Sequence, residues 1–425
     1  MVVSCTRVAT KRSMVVINPV HYHAALIQKN KLENVSDTVN VYAPEGKELN
    51  AYLNTIKLFN GRKEHPTNWL ESVHICNNCM DSLPVASKGD FIVLACPNNK
   101  KADYILSSVM KGYNVLSDKP MAININNFKK LKEAYDLAKE KGILIYDLMT
   151  ERYDILNILV RKLISNKCFF GNFDGGVSMS SVHHFFKNVA GSFLVRPEWY
   201  YDVGQQGEGI TDVTTHLIDL VFWQCFPNEE IYPEDIKLTA ATHYSTPITL
   251  QQYEQSTGAN SFPNYLNYCS RDSTIDVMSN GTISFEVKQL PVDISVRWDF
   301  EAPDGSGDTF TAEYKGSKAS IKIIQDKNTD FKKQLVLKAS EESIKKVFFA
   351  LKKDFPSLSM TPYRNGSWIF DVAPEDNLSH EEHFNLVCDA FLDYLQNNEL
   401  PKWEISNTIT KYFITTESVR IAQNN

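Results

Sequence analysis

The sequence predicts an α/β domain built on a parallel sheet, followed by an α+β domain with a predominantly antiparallel open sheet. Three observations lead there. From residue 14 to about 150, short β-branched runs alternate with helical patterns, as in parallel strands joined by crossover helices. Beyond about residue 165 the runs lengthen and are joined by turn signals, as in antiparallel strands with one face covered. The chain has 425 residues, 43% hydrophobic and 22% charged, which is too long for one ordinary core and apolar enough for two.

In the first domain, expected over 14–150 after a flexible tail at 1–13, the first strand is Met14-Val15-Val16-Ile17 and a helix follows from about Tyr22. Val39 to Tyr42 forms the second strand, and the mixed polar and aromatic stretch 47–89 reads as inserted helices and loops. Asp90 to Ala95 is nearly continuous in apolar residues, as a strand buried on both faces should be. Ile105, Leu106, Val109, Met110 and Tyr113 recur at helical spacing, and Val115-Leu116 is the next strand. Phe128, Leu131, Tyr135 and Ala138 mark one face of a helix that Asn126 or Asn127 caps and Gly142 ends, before a strand at Ile143 to Tyr146. In the second domain, expected over 151–425, Thr274 to Val277 and Thr282 to Val287 flank Ser279-Asn280-Gly281, which predicts a hairpin. Strands at 292–301 and 309–314 and helices near 340–354, 380–396 and 407–423 complete the reading, the last helices being able to pack back on the first domain.

Composition narrows the function. The formal net charge is -7 and the basic residues are scattered, which argues against a nucleic-acid partner and for small molecules. No apolar run approaches the ~20 residues of a transmembrane helix. Cys76-Asn77-Asn78-Cys79 has metal or redox spacing, but no second pair supplies further ligands, so two free thiols and no metal are expected. The chain reads as cytoplasmic. Val2-Val3-Ser4-Cys5 raises the alternative of an envelope lipoprotein anchored at Cys5, which requires a longer leader before it.

Three segments carry chemistry. After the first strand, where a glycine turn would cradle a diphosphate at a helix N-terminus, the chain has Asn18-Pro19-Val20-His21-Tyr22-His23. Asn18 can take the left-handed conformation of the first glycine, Val20 would crowd the diphosphate, and His21 and His23 can donate to phosphate. Pro97-Asn98 and Asp118-Lys119-Pro120 end two strands at the carboxyl edge of the sheet, the ligand edge of open α/β folds. In the second domain Asp212 and His216, four apart on a helix after a glycine-rich approach, form a carboxylate and imidazole pair suited to taking a proton from a hydroxyl.

Together these motifs resemble the glucose-fructose oxidoreductase, inositol dehydrogenase and MocA family, and the texture of NPVHYHAAL, VRPEWYYDVGQQGEGITDVTTHLIDL and WDFEAPDGSGDT is similar to a Bacteroidetes-type branch with its own C-terminal oxidoreductase domain. Asp118-Lys119-Pro120 corresponds to the family's Glu-Lys-Pro, and Asp212 and His216 to its Asp-x-x-x-His. The resemblance implies a Rossmann-like first domain and NAD or NADP as cofactor, NAD being the first expectation although no acid at the end of the second strand decides it. It implies Lys119, Asp212 and His216 as catalytic residues and Asn18, His21, His23, Pro97, Asn98, Asp118, Lys119 and Pro120 as cofactor contacts. Arg152, Lys187, Arg196 and Trp199 are candidates to hold the rest of a sugar-like substrate, and a homo-oligomer is expected. The leading reading is hydride transfer from a secondary alcohol of a sugar, glycoside or polyol. The alternatives are redox-neutral glycoside cleavage by oxidation and elimination, and a non-catalytic sugar or dinucleotide binding protein.

Overall fold

A computed structural model describes residues 11–189, 192–303 and 306–424. Most of the expected N-terminal tail and the Cys5 anchor lie outside these residues. The chain forms two compact units. One comprises the chain up to Met121 with Lys129–Leu148 and Glu381–Leu400; the other comprises Ala122–Phe128, Met149–His380 and Pro401–Asn425.

The first unit is a six-stranded parallel sheet of β1 (Arg12–Ile17), β2 (Val35–Ala43), β3 (Leu70–Ile75), β4 (Phe91–Leu94), β5 (Asn114–Ser117) and β6 (Ile145–Asp147), in the order β3-β2-β1-β4-β5-β6. The strand order reverses between β1 and β4, so the crevice at their carboxyl ends is the topological switch point where such sheets bind ligands. The inner strands are buried along their length because both faces are covered. Four helices cross over: α1 (His23–Leu26), α2 (Lys47–Gly61), α4 (Asn98–Met110) and α5 (Ile125–Lys141), with a short α3 (Cys79–Ser82) after β3. Within Glu381–Leu400, Phe391 stacks on Tyr146 and meets Phe91 edge-on, so this late segment completes the first unit's core.

Two expectations are corrected here. The stretch 47–89 contains a sixth strand, β3, whose Leu70, Val73 and Ile75 are exposed at the sheet edge; without a buried face it lacks the alternation that announces a strand. Cys76 and Cys79 are joined in a disulfide rather than left as free thiols.

The second unit is built on a ten-stranded mixed sheet: β7 (Phe173–Phe186), β10 (Ile236–Thr249), β11 (Ser270–Arg271), β12 (Thr274–Val287), β13 (Leu290–Glu301), β14 (Thr309–Gly316), β15 (Ser320–Gln325), β16 (Gln334–Lys338), β17 (Ser359–Pro362) and β18 (Trp368–Asp371). The strands β8 (Asn188–Val189) and β9 (Ser192–Phe193) pair separately. All the large sheet's neighbours are antiparallel except β13 and β7. Helices α6 (Ile155–Ser165), α7 (Val203–Gln206), α8 (Gly209–Asp212), α9 (Thr214–Cys225), α10 (Leu250–Thr257), α11 (Glu341–Leu351), α12 (His380–Asn397) and α13 (Lys402–Ala422) complete the described chain. Among the described residues no helix is long and apolar enough to cross a membrane.

The predicted hairpin at Ser279-Asn280-Gly281 is not a turn. Residues 274–287 form one continuous strand, in which Asn280 is buried and its amide is used by Tyr244 O, Thr246 Oγ1 and Trp298 N. The reversal comes at Lys288-Gln289, both with positive φ (47° and 69°), the conformation a two-residue hairpin requires. Gly281 serves close approach instead: a Cβ there would lie 2.3 Å from Thr242 O and 2.5 Å from Ile210 Cγ2.

A buried ion cluster ties the second unit's helices together. Arg152 donates to Asp219 on α9 at 2.6 and 2.7 Å and to Glu404 on α13 at 2.7 and 3.0 Å, while Lys411 donates to Asp219 at 3.0 Å. All four are almost fully buried. Burial alone would raise the Asp219 pKa, but Arg152 and Lys411 hold the carboxyl well below its ordinary value. Removing one partner leaves a buried charge uncompensated, so Asp219→Ala is expected to destabilise the protein by about 3–5 kcal/mol in urea unfolding.

Candidate functional site

At the carboxyl edge of the first unit, Asn18 leaves β1 with φ 45°, the left-handed geometry expected of it. Its carbonyl accepts Val20 N–H at 2.9 Å, closing a tight turn, and His21 N–H donates to Ala95 O at 3.1 Å, bridging the turn to the end of β4 across the switch point. Pro97 stands immediately before α4, whose first residue, Asn98, accepts from the buried Lys101 ammonium at 2.8 Å. Lys101 also reaches Lys119 O at 3.4 Å. Asp118 is anchored by its N–H on Leu94 O, and the Lys119-Pro120 peptide that follows is cis.

The imidazoles of this turn are drawn to Asp118 rather than held open. His23 Nδ1 lies 2.9 Å and His21 Nδ1 3.5 Å from Asp118 Oδ2. Burial opposes charge on Asp118, but His23, then Lys101 and His21, keep it ionised far below the ordinary carboxylate range. Burial and then the neighbouring His23 push the His21 pKa well below its usual value, outweighing the attraction of Asp118. Sequence reasoning missed Lys101; it is one helical turn past Asn98, but nothing in its spacing distinguishes it from an ordinary surface lysine.

In the second unit α8 and α9 carry Asp212 and His216 on a segment pressed against β12. A Cβ on Gly209 would stand 1.8 Å from Ser279 O, so only glycine lets the backbone reach the strand. Asp212 is buried and accepts from Gln206 Nε2 at 3.4 Å, while its carbonyl accepts the Thr215 hydroxyl at 2.6 Å. His216 N–H caps on Val213 O. Close to His216 lies a carboxylate the sequence did not single out. Burial would raise the Glu151 pKa, yet Lys333, then His216, lower it from the ordinary 4.5 to about 2. Lys333 donates to Glu151 at 3.0 Å and to Asp154 at 2.7 Å, so the ionised Glu151 is paired with an ammonium. The sequence separation of 182 between Glu151 and Lys333 hides this cluster from any local pattern.

The four residues expected to hold substrate fare differently. Arg152 is spent on Asp219 and Glu404, which take four of the five N–H donors a guanidinium has, so it is a structural tie rather than a ligand arm. Arg196 donates to the carbonyls of Phe185 and His184 and lies over Tyr200 and Trp298, a bracing role. Lys187 pairs with Asp308 at 2.5 Å beside His184. Trp199 keeps a buried indole N–H that no described residue accepts.

Comparison with known proteins follows these lines. Residues 19–147 match the family described as "Oxidoreductase family, NAD-binding Rossmann fold", that of glucose-fructose oxidoreductase, inositol dehydrogenase and MocA, and residues 159–423 match the "Putative oxidoreductase C terminal domain". A putative oxidoreductase from Parabacteroides merdae, known as a crystal structure, is 37% identical, with 98% of each chain covered and a TM-score of 0.95. The chain belongs to this oxidoreductase family. More distant structures share the family's fold: a putative oxidoreductase from Thermotoga maritima (12% identity, 97% of this chain and 98% of that one, TM-score 0.62) and a 3-ketoreductase from Actinomadura kijaniata solved with NADP (12% identity, 97% of each, TM-score 0.58). No curated protein matches the chain significantly. The first unit of this family member is thus an NAD(P)-binding Rossmann domain.

The residues present fit a dinucleotide. The positive φ of Asn18 supplies the turn that the missing first glycine would give, and the amide of Asn98 stands at the opposite lip of the switch point. Val20 is the one position that narrows the approach. The close contact of α8 with β12 has its own test: Gly209→Ala is expected to lower stability by about 1–3 kcal/mol, read from the urea midpoint, because strand and helix must part to admit the methyl group.

Proposed function

We propose that the protein is a nicotinamide-dependent dehydrogenase that takes a hydride from a secondary alcohol of a sugar, glycoside or polyol. The observation carrying this reading is the built switch point, where the Asn18 turn is fastened by His21 N–H to the end of β4 and flanked by Asp118-Lys119 at the end of β5.

In this reading Asn18 and Asn98 hold the dinucleotide, NAD ahead of NADP, and the bound nicotinamide supplies the hydride acceptor. His216 takes the hydroxyl proton on a ring nitrogen as general base. Asp212 orients the imidazole or holds a neighbouring hydroxyl. The Glu151 carboxylate, held ionised by Lys333, interacts favourably with the imidazolium that forms. Lys119 donates its ammonium hydrogen to the alcohol oxygen and stabilises the charge that develops there.

Support from relatives is coarser: the family is one of oxidoreductases, and a structure of the same fold is described as a 3-ketoreductase. The test is nicotinamide reduction across a panel of sugars, glycosides and polyols. Wild type is expected to turn over at least one substrate class, and His216→Asn to lower kcat by about 10²–10⁴-fold with an unchanged melting temperature. A folded wild-type protein that reduces no cofactor with any of them would overturn the proposal.

A further inference from the structure

No metal site is expected from the paired cysteines, which lack further ligands in sequence. The fold assembles a different set. His21, His23 and Asp118 each offer one ligand atom, and these atoms all lie within 4.8 Å of one another. We propose that these three residues bind a divalent transition-metal ion of the zinc class.

Several features support ligation over a chance meeting of side chains. Two imidazole nitrogens and one carboxylate oxygen are the donors that borderline ions such as zinc take, whereas magnesium and calcium prefer oxygen alone. With metal–ligand bonds of about 2.0–2.1 Å, neighbouring donors in a tetrahedron stand roughly 3.3 Å apart. The two separations to Asp118 Oδ2, 2.9 Å from His23 and 3.5 Å from His21, bracket that value.

The donors are also held from behind. His21 is tied by its N–H to Ala95 O, Asp118 by its N–H to Leu94 O, and His23 begins α1 with its ring against Phe384. Each therefore hangs from backbone fixed at the end of the sheet or from a packed ring, so little ordering remains when an ion arrives. His23 and Asp118 are buried, with 9% and 4% of their side chains exposed, while His21 retains 27%. His21 is thus the member of the set that solvent reaches, and three protein donors leave a tetrahedral ion one position for an exogenous ligand.

Two ammonium groups, Lys119 and Lys101, oppose a cation there, and Lys101 is engaged by Asn98 Oδ1 and Lys119 O. The carboxylate and the two imidazoles remain the groups that face one another. Any ion held there would sit at the β1 exit and present its open position to an anionic oxygen. This inference goes beyond the dehydrogenase reading and does not depend on it.

The test is zinc chloride titrated calorimetrically into chelator-treated full-length protein, with bound metal counted by elemental analysis after dialysis. One zinc per chain is expected for wild type and for Cys76→Ser/Cys79→Ser, with at least about tenfold weaker binding for His21→Ala and for His23→Ala. Cobalt chloride gives a second readout that needs no activity: wild type should develop the visible absorption of a low-symmetry nitrogen and oxygen site, and the double variant His21→Ala/His23→Ala should not. Circular dichroism establishes that each variant is folded. Absence of stoichiometric zinc in wild type, retention of full affinity in the folded double variant, or its loss only in the cysteine variant would each overturn the proposal. Zinc binding in a protein that ignores NAD and NADP would sustain the metal site and remove the dehydrogenase reading.

Discussion

The second unit depends on one buried charge arrangement. Asp219 accepts from Arg152 and Lys411, and Glu404 accepts from Arg152, so residues from the segment after β6, from α9 and from α13 meet in an almost water-free cluster. An isolated charge there would be prohibitive, and any one of the four withdrawn leaves another unpaired. Such a cluster adds less net stability than its contacts suggest, because each ion gives up hydration on entering; its effect is to permit one arrangement of these helices and penalise the rest. The helix it fixes is the one that carries His216, three residues before Asp219. The position of the proposed base is therefore set by charges that never touch substrate.

A second constraint is steric. The segment bearing Asp212 approaches β12 so closely that Gly209 and Gly281 leave no space for a Cβ against Ser279 O and Ile210 Cγ2. Hydrogen bonding secures the same place, since the Asn280 amide bridges Tyr244, Thr246 and Trp298 across the sheet. In the first unit the equivalent work is done by backbone bonds at strand ends, His21 to Ala95 and Asp118 to Leu94, which bring two imidazoles and a carboxylate into one small volume.

What the sequence disclosed follows the physics of burial. The strands at 14–17, 90–95 and 115–116 were readable because parallel strands covered on both faces must be apolar throughout. Leu70–Ile75 was not, because an edge strand with exposed side chains has no such requirement. Asn280-Gly281 was misread because glycine serves both turns and close approaches, and only the partner, absent from the local sequence, tells them apart. The true reversal at Lys288-Gln289 uses residues that rarely take positive φ and so gives no local signal. Of the site, Asn18, Asp118-Lys119 and the Asp212/His216 spacing were legible as motifs. The fate of Arg152, and the influence of Lys101, Glu151 and Lys333, were not, since each is defined by ion pairs or hydrogen bonds formed through the fold.

A dehydrogenase built on this fold needs the Asn18 turn to accept a dinucleotide without the usual glycines. The most direct measurement is titration of NADH and NADPH into the purified protein, followed by energy transfer from tryptophan to the bound nicotinamide. Saturable binding at one site per chain, weakened when Asn18 is replaced by a β-branched residue that resists positive φ, is the predicted result. A folded protein that shows no saturable binding of either dinucleotide at millimolar concentration would contradict it.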